Sequence, residues 1–205
     1  LAVSDLRDAI VAGWRDFRAN PLFGLLFAGV YVAVGLFLAY ALLALGQARW
    51  LAFAIAGFPL VTPFVAVGLY EVSRRREAAL AQDWSAILTA VRGSDDQLPM
   101  MGALLFVGFT FWVGVAHGIA AVFITMAGSG SESLAIFRTA PGIAMLAVGG
   151  SVGAMIAYLF YSITVASLPM MVEREVDLFT AIGTSLAAVR SNRLVLTVWA
   201  AIIGA

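Results

Sequence analysis

Long apolar stretches alternate with short polar segments along this chain. The apolar stretches cover residues 22–46, 50–70, 99–126 and 140–169. A further stretch begins at Leu194. A membrane-spanning helix needs about 20 apolar residues to cross about 30 Å of hydrocarbon. The pattern therefore predicts an all-α, polytopic helical membrane protein, with four full spans and the start of a fifth in one transmembrane domain over residues 1–205.

Composition agrees with a membrane protein, because 62% of the residues are hydrophobic and only 12% are charged, against about a quarter charged in soluble domains. The net charge is zero, which gives no reason to expect a nucleic-acid partner. The lack of cysteine excludes disulfides, thiolate metal sites and thiol catalysis. Leu1 is not a start methionine and Ala205 lies inside an apolar run, so we expect a piece of a longer chain.

The arginines predict how the chain is threaded through the membrane. Ten of the twelve precede the first span or lie between the second and third or the fourth and fifth: Arg7, Arg15, Arg18, Arg74, Arg75, Arg76, Arg92, Arg174, Arg190 and Arg193. The opposite connections carry only Arg49 and Arg138. Cytoplasmic loops of membrane proteins are enriched in arginine and lysine. We therefore expect a multi-pass protein with a cytoplasmic N-terminus.

A repeated unit is visible between the spans. Asp5, Asp83 and Asp177 each open an amphipathic segment, and the next apolar stretch follows about sixteen residues later. An aspartate before a helix is a good N-cap, since its carboxylate accepts the free N–H groups of the first turn. An offset of 172 residues aligns the first segment with the third, with Arg18-Ala-Asn20 on Arg190-Ser-Asn192.

These features predict repeats of one unit, an amphipathic helix in the membrane interface followed by a transmembrane hairpin. The units cover residues 5–70, 83–169 and 177–205, the last one truncated, which implies six spans in the whole protein. The alternative is that amphipathic connectors, which are common in membrane proteins, share this register by accident.

His117 is the one ionisable residue well inside a span. Such a residue is a candidate for a proton relay or for a haem or metal ligand. A metal usually takes three or four ligands and a bis-histidine haem takes two. The favoured interpretation is therefore a neutral imidazole that hydrogen-bonds to a neighbouring helix, with Ser151 as a candidate partner. No cofactor or metal is expected.

Two small-residue motifs, Gly114/Gly118 and Gly149/Gly153, lie at similar depths in the third and fourth spans. Glycines four residues apart let helices approach closely in lipid. We therefore expect these four glycines to form the contact between the two spans.

Pro59 and Pro63 interrupt the second span. Each removes a backbone donor and clashes with the preceding turn, so a kink or a break is expected. A bend is the favoured interpretation, and a broken helix that lines a substrate site is the alternative.

The cytoplasmic exit of the second span carries an aromatic residue, an acid and three arginines: Tyr70, Glu71, Arg74, Arg75 and Arg76. The tyrosine fits the aromatic belt and the arginines fit anionic headgroups, so the segment is expected to anchor this end of the span in the interface. Glu71 is expected to pair with Arg74 or Arg75 one turn later. A docking site for an acidic partner surface is the alternative.

No catalytic motif is present, neither a metalloprotease HExxH nor a nucleophile elbow, a phosphate-binding loop or a dinucleotide fingerprint. The chain is therefore expected not to be an enzyme.

Five short strings in combination resemble one bacterial family of integral membrane proteins. They are Trp14-Arg-Asp-Phe17, Pro21-Leu-Phe-Gly24, Gly57-Phe-Pro-Leu60, Pro63-Phe64 and Gly68-Leu-Tyr-Glu-Val-Ser-Arg-Arg75. The family is catalogued as domain of unknown function 2189, and the resemblance covers nearly the whole chain. It implies an inner-membrane protein with about six spans and no established activity. Some members are labelled as similar to cytochrome oxidase subunits. Catalytic oxidase subunits use several histidines to bind haem and copper, whereas this chain has one. The label is therefore compatible only with an accessory, non-catalytic subunit.

The leading hypothesis is thus a non-enzymatic protein of the bacterial inner membrane, an accessory or assembly subunit that packs against other integral membrane proteins, first of all a respiratory-type complex. The second hypothesis is a transporter or channel for a small solute of unknown identity, which would use the broken second span and His117. A membrane enzyme that acts on lipids comes third.

Overall fold

The structure is a computed structural model that describes residues 1–46, 62–92, 97–126, 138–174 and 176–204. Within these ranges the regular elements are all helices, as predicted. In chain order they are α1 (Val3–Ala19), α2 (Pro21–Ala44), α3 (Thr62–Glu77), α4 (Trp84–Arg92), α5 (Gln97–Met126), α6 (Ala140–Thr164), α7 (Ser167–Glu173), α8 (Leu178–Ser191) and α9 (Arg193–Gly204).

Three continuous helical stretches are long and apolar enough to cross a membrane: α2, α5, and α6 together with α7 over Ala140–Glu173. They correspond to the first, third and fourth predicted spans. Helices α8 and α9 pass the same test only as a pair, and they are bent by 105°. The described part of the chain therefore holds three candidate spans, or four if this pair counts as one. Most of the second predicted span, 50–70, lies outside the described residues.

The three predicted amphipathic segments are the helices α1, α4 and α8, and aspartates cap two of them as expected. Asp83 accepts hydrogen bonds from the N–H groups of Ser85 and Ala86, at 3.3 and 3.2 Å. Asp177 accepts from Phe179 and Thr180, at 3.1 and 3.0 Å. The bonds from Thr180 hold the pKa of Asp177 below its usual value.

The prediction was wrong for Asp5. Helix α1 begins two residues before it, at Val3, so Asp5 lies in the first turn. From there its carboxylate accepts the N–H of Ala2 at 2.8 Å. A carboxylate in the first turn still complements the positive end of the helix dipole.

One asparagine separates each of the two outer amphipathic helices from the apolar helix that follows. Asn20 has φ −135° and ψ 57°, and Asn192 has φ −129° and ψ 39°. The N–H of Asn20 lies within hydrogen-bond distance of the carbonyls of Asp16 and Phe17. The N–H of Asn192 lies likewise near those of Ala188 and Val189. These junctions, called the elbows below, share a backbone conformation and a hydrogen-bond pattern.

The buried apolar side chains of the described residues lie at one end of the apolar helices, among the amphipathic helices. One cluster joins α2, α3 and α4: Phe23, Phe27, Val72 and Ile87. A second joins α3, α5, α7 and α8: Val67, Met101, Leu105, Leu168 and Leu178. Because α3 contributes to both, they form one continuous region, which we call the packed end.

Helix α8 is tied to the packed end by Ser185, whose side chain is fully buried. Its hydroxyl accepts the N–H of Ala166 at 3.1 Å and donates to the carbonyl of Ser162 at 2.8 Å. In an unbroken helix those two backbone groups would bond to each other. The Ser185 hydroxyl is thus inserted into the backbone ladder where α6 gives way to α7. An inserted side chain is a recognised cause of helix breaks.

Beyond the packed end the apolar helices contact each other only in part. Helices α5 and α6 form a hairpin in which aromatic rings cover glycines. A Cβ added at Gly108 would lie 2.5 Å from the ring of Phe160, and one added at Gly153 would lie 3.1 Å from that of Trp112. Large apolar side chains of the outer halves, such as Phe37 and Phe111, are exposed. Those faces have to be covered by lipid or by another membrane protein.

We predict that Ser185→Ala destabilises the fold, because it leaves the Ala166 N–H and the Ser162 carbonyl without their bridging partner at a buried site. The expected loss is about 1–3 kcal/mol of unfolding free energy. Thr184→Ala is the matched control, since the Thr184 hydroxyl is exposed and bonds only to the Thr180 carbonyl of its own helix. Thermal unfolding in detergent measures both variants. Equal midpoints would contradict a structural role for the bridge.

Candidate functional site

A buried ion pair marks the packed end of α3. Glu71 is only 3% exposed, although it is charged. Its two carboxylate oxygens accept hydrogen bonds from Nε and Nη2 of Arg74, at 2.7 and 2.8 Å. Nη1 of Arg75 lies 3.6 Å from Oε1 of the same carboxylate. The predicted pairing is thus confirmed with both arginines. The hydrogen bond to Glu71 raises the pKa of Arg74, so this guanidinium stays charged.

The same turn of α3 connects to neighbouring segments. Arg76 forms an ion pair with Asp16, which brings α1 against α3. Nε of Arg75 donates to the carbonyl of Ala81 at 2.8 Å, and Nε2 of Gln82 donates to the carbonyl of Val72 at 3.2 Å. These contacts fold the short connection between α3 and α4 back onto α3.

Aromatic side chains pack beside this ion pair. Phe27 of α2 lies against Gly68, where an added Cβ would overlap its ring. The rings of Phe23 and Trp84 are 4.0 Å apart between centroids. Ile87 of α4 is fully buried in the same cluster. This end of α3 is therefore held by one ion-pair network and one aromatic cluster, with its arginines largely neutralised inside the chain.

A groove of about 580 Å³ runs between α6, α8 and α9. Helix α6 lines it with Met155, Ile156, Tyr158, Leu159 and Ser162. Helices α8 and α9 complete it with Leu186, Val189, Arg190 and Arg193. The walls are thus almost wholly apolar, and the two arginines lie at the elbow around Asn192.

Tyrosine hydroxyls hold the two sides of this groove together. The Tyr161 hydroxyl donates to the carbonyl of Leu196 at 2.8 Å. The hydroxyls of Tyr158 and Thr197 are 2.9 Å apart. Both contacts join α6 to α9 directly beside the elbow, so the width of the groove is set by hydrogen bonds and not by apolar contact alone.

The predicted contact between the two glycine motifs is not made. A Cβ added at Gly114 or Gly118 would meet no atom of the described residues within 4 Å. Gly149 instead faces Ile119, at 3.9 Å, and Gly153 faces Trp112. The reason is helical geometry, because a residue two positions from Trp112 lies about 200° around the helix. Gly114 and Gly118 therefore lie on the face of α5 that points away from α6.

The structure does not pair His117 with Ser151 either. Nδ1 of His117 lies 3.2 Å from the carbonyl of Val113, in its own helix. The Ser151 hydroxyl donates to the carbonyl of Ala147 at 2.7 Å, also in its own helix. Both side chains are exposed. Within the described ranges, no three His, Asp or Glu side chains are grouped closely enough to hold a metal ion.

The two prolines of the second span are only partly covered. Pro59 lies outside the described residues, and Pro63 is the second residue of α3. Whether they bend or break this span stays a prediction. Tyr70 is 36% exposed, one residue before the buried Glu71, and its anchoring role, like that of Arg74, Arg75 and Arg76, also stays a prediction.

Sequence reasoning missed three features of these sites. It treated Arg76 only as a headgroup contact and missed its pairing with Asp16, a residue 60 positions away. It gave Ser185 no role, because one serine in an amphipathic helix carries no signal of its own. It also missed the groove, although Arg190 and Arg193 on either side of a predicted helix junction offered a usable clue.

We predict that Glu71→Gln lowers stability, since Arg74 and Arg75 would lose the charge that they share at a nearly buried site. The expected cost is about 1–3 kcal/mol, below that of a fully buried pair because the Arg74 side chain is 38% exposed. Glu77→Gln on the same helix is the control, since Glu77 is exposed. Unfolding in detergent should separate the two variants. A loss that is no greater for Glu71→Gln would contradict the structural role of the pair.

Comparison with known proteins identifies a family without a known function. A family described as predicted integral membrane protein, domain of unknown function 2189, matches residues 51–173. The match contains the strings around Pro59, Pro63 and Gly68, whereas the two earlier strings precede it. No curated protein and no solved structure matches the chain. Since the match covers more than half of the residues, this chain belongs to the family of predicted integral membrane proteins catalogued as domain of unknown function 2189.

Proposed function

We propose that this protein is a non-enzymatic subunit of the bacterial inner membrane, which packs against a larger membrane complex as an accessory or assembly factor. A respiratory-type complex is the first candidate partner, because some members of the family that this chain resembles are labelled as similar to cytochrome oxidase subunits. The observation on which the proposal rests is the outer face of α5, a surface shaped for helix packing that no described part of the chain covers closely.

This outer face is a row of small and weakly polar residues one turn apart. Its members are all exposed: Thr110, Gly114, Gly118, Ala121 and Thr125. Small residues let a second helix approach closely in lipid, where van der Waals contact replaces the hydrophobic effect as the driving force. The hydroxyls of Thr110 and Thr125 bond to carbonyls of α5 itself, at 2.9 and 2.7 Å. The face can therefore pack against an apolar partner helix without leaving a donor unsatisfied.

Bulky side chains flank the small ones on the same helix. Phe106, Phe111 and Val122 are exposed to either side of the row, and Val107 continues it one turn before Thr110. A shallow depression between large side chains is the shape into which a neighbouring helix fits. The aromatic residues would add contact area at little cost in side-chain entropy.

The threading and the repeat are parts of the same proposal. The arginine distribution supports a cytoplasmic N-terminus, which places the packed end at the cytoplasmic surface. The matching elbows at Asn20 and Asn192, 172 residues apart, support a repeat of interfacial helix and transmembrane hairpin. Three such units would give six spans, of which the last would follow α9.

The proposal predicts that the tagged full-length protein, extracted from its native membrane in a gentle detergent, co-purifies with defined integral membrane partners. Gly114→Leu should reduce their recovery about tenfold or more, since a clash that costs about 1.4 kcal/mol weakens binding by that factor. The matched control is Gly150→Leu, another exposed glycine of the same hairpin with open space around it. Quantitative mass spectrometry of the eluates provides the measurement.

Both glycine variants should unfold at the wild-type temperature, because a Cβ added at either position meets no atom of the described residues within 4 Å. That result separates loss of a partner from loss of the fold. Recovery of the wild-type protein alone, without partners in stoichiometric amounts, would overturn the accessory role. Equal loss of partners in the two variants would show that the α5 face is not the docking surface.

A further inference from the structure

We infer that the groove between α6, α8 and α9 binds an anionic phospholipid, with the acyl chain along α6 and the phosphate at Arg190 and Arg193. This inference concerns a lipid ligand and does not depend on the accessory role proposed above. It rests on the shape of the groove, on its charge and on the position of the elbow at Asn192.

The apolar part of the groove fits an acyl chain. Met155, Leu159 and Ser162 of α6 follow one another along one face, over about 10 Å of helix. The one hydroxyl among them, that of Ser162, already donates to the carbonyl of Tyr158 at 2.7 Å. This wall therefore presents no free hydrogen-bond donor that a ligand would have to satisfy. A volume of about 580 Å³ lies within the range of about 300–1,000 Å³ typical of small-molecule sites.

The charged part of the groove fits a phosphate. Arg190 lies in the last turn of α8 and Arg193 is the first residue of α9, so the two arginines stand on either side of the elbow, and both line the groove. Both residues are exposed, and neither forms an ion pair with any carboxylate in the described part of the chain. Arginine donates two parallel hydrogen bonds to phosphate, which makes it the preferred residue for this group.

The arginines of α3 provide the contrast. Arg74 and Arg75 share the carboxylate of Glu71, and Arg76 is paired with Asp16. Their charge is largely neutralised within the chain. At the α8–α9 elbow two charges remain to be balanced, and an apolar groove begins beside them. An anionic lipid complements both features, whereas a neutral lipid complements only the groove.

The elbow also places the two arginines at the correct depth. Helix α8 is amphipathic, and α9 is bent away from it by 105°. If α9 crosses the bilayer, α8 lies near its surface and the residues between them lie at headgroup level. The negative potential of the cytoplasmic leaflet acts there, and it attracts basic residues. The contacts of Tyr158 and Tyr161 with α9 fix the position of α6 beside this elbow.

The test is a lipid titration of the full-length protein followed by native mass spectrometry. Phosphatidylglycerol and phosphatidylcholine with identical acyl chains are compared. The wild-type protein should bind one phosphatidylglycerol about tenfold more tightly than phosphatidylcholine, a difference that corresponds to about 1.4 kcal/mol. The double variant Arg190→Gln/Arg193→Gln should lose this preference.

Arg15→Gln/Arg18→Gln is the matched control, since these arginines precede the equivalent elbow at Asn20, are exposed and do not line the groove. It should keep the preference. Leu159→Trp offers an independent test that leaves the charges intact. Leu159 is 54% exposed, so a larger side chain can enter the groove without disturbing the packed end. This variant should lose the tight lipid, whatever the fate of the arginine variant.

Three results would overturn the inference. The first is that the preference for phosphatidylglycerol survives in both Arg190→Gln/Arg193→Gln and Leu159→Trp. The second is that the preference is lost to the same extent in the Arg15→Gln/Arg18→Gln control, which would show diffuse attraction of the lipid to the basic surface. The third is that glycerol phosphate, which has no acyl chains, competes with the lipid at similar concentration. The two arginines would then bind a soluble phosphate compound instead.

Discussion

Lipid offers no hydrogen-bond or ionic partner to backbone and charged groups, so these groups must find their partners inside the chain. This constraint governs the structure. The contacts that meet this need are concentrated at the packed end. There the Ser185 hydroxyl fills the gap between the Ser162 carbonyl and the Ala166 N–H. In the same region Glu71 balances Arg74 and Arg75. The amphipathic helices reach this end from the sides, and the apolar helices start or finish in it.

The two ends of the helices therefore differ in role along the membrane normal. The packed end fixes the relative positions of the helices, whereas the outer halves of α2, α5 and α6 bury little of their surface. Some of that surface is ordinary lipid-facing apolar side chain. The small-residue face of α5 is different, since glycine at Gly114 and Gly118 lets another backbone come close. A protein built in this way can keep its own fold and still offer a packing surface to a neighbour.

The sequence was sufficient for whatever depends on local pattern. Apolar length gave the spans α2, α5 and α6–α7, and an aspartate before an amphipathic run located the caps at Asp83 and Asp177. Spacing alone found the Glu71 pair. Prediction from the sequence failed where the rotation of a helix about its axis decides which residues touch. Gly114 and Gly118 were therefore assigned to the wrong face of α5. It also failed for contacts distant in sequence, such as Ser185 with Ser162 and Arg76 with Asp16. Such contacts depend on tertiary packing, which has no period along the chain.

We propose that α8 lies in the membrane interface and that the chain turns at Asn192 into a span. Because the chain has no cysteine, single cysteines at Phe179, Gly183, Ala187, Leu194, Thr197 and Ile202 can each carry a spin label without a background signal. The depth of each label in a lipid nanodisc follows from its relative collision rates with oxygen and with a water-soluble nickel chelate. One shallow depth is expected for the three labels on α8, and steadily greater depth is expected for those on α9. Depth that increases continuously from Phe179 to Ile202 would contradict it, because α8 and α9 would then form one bent span.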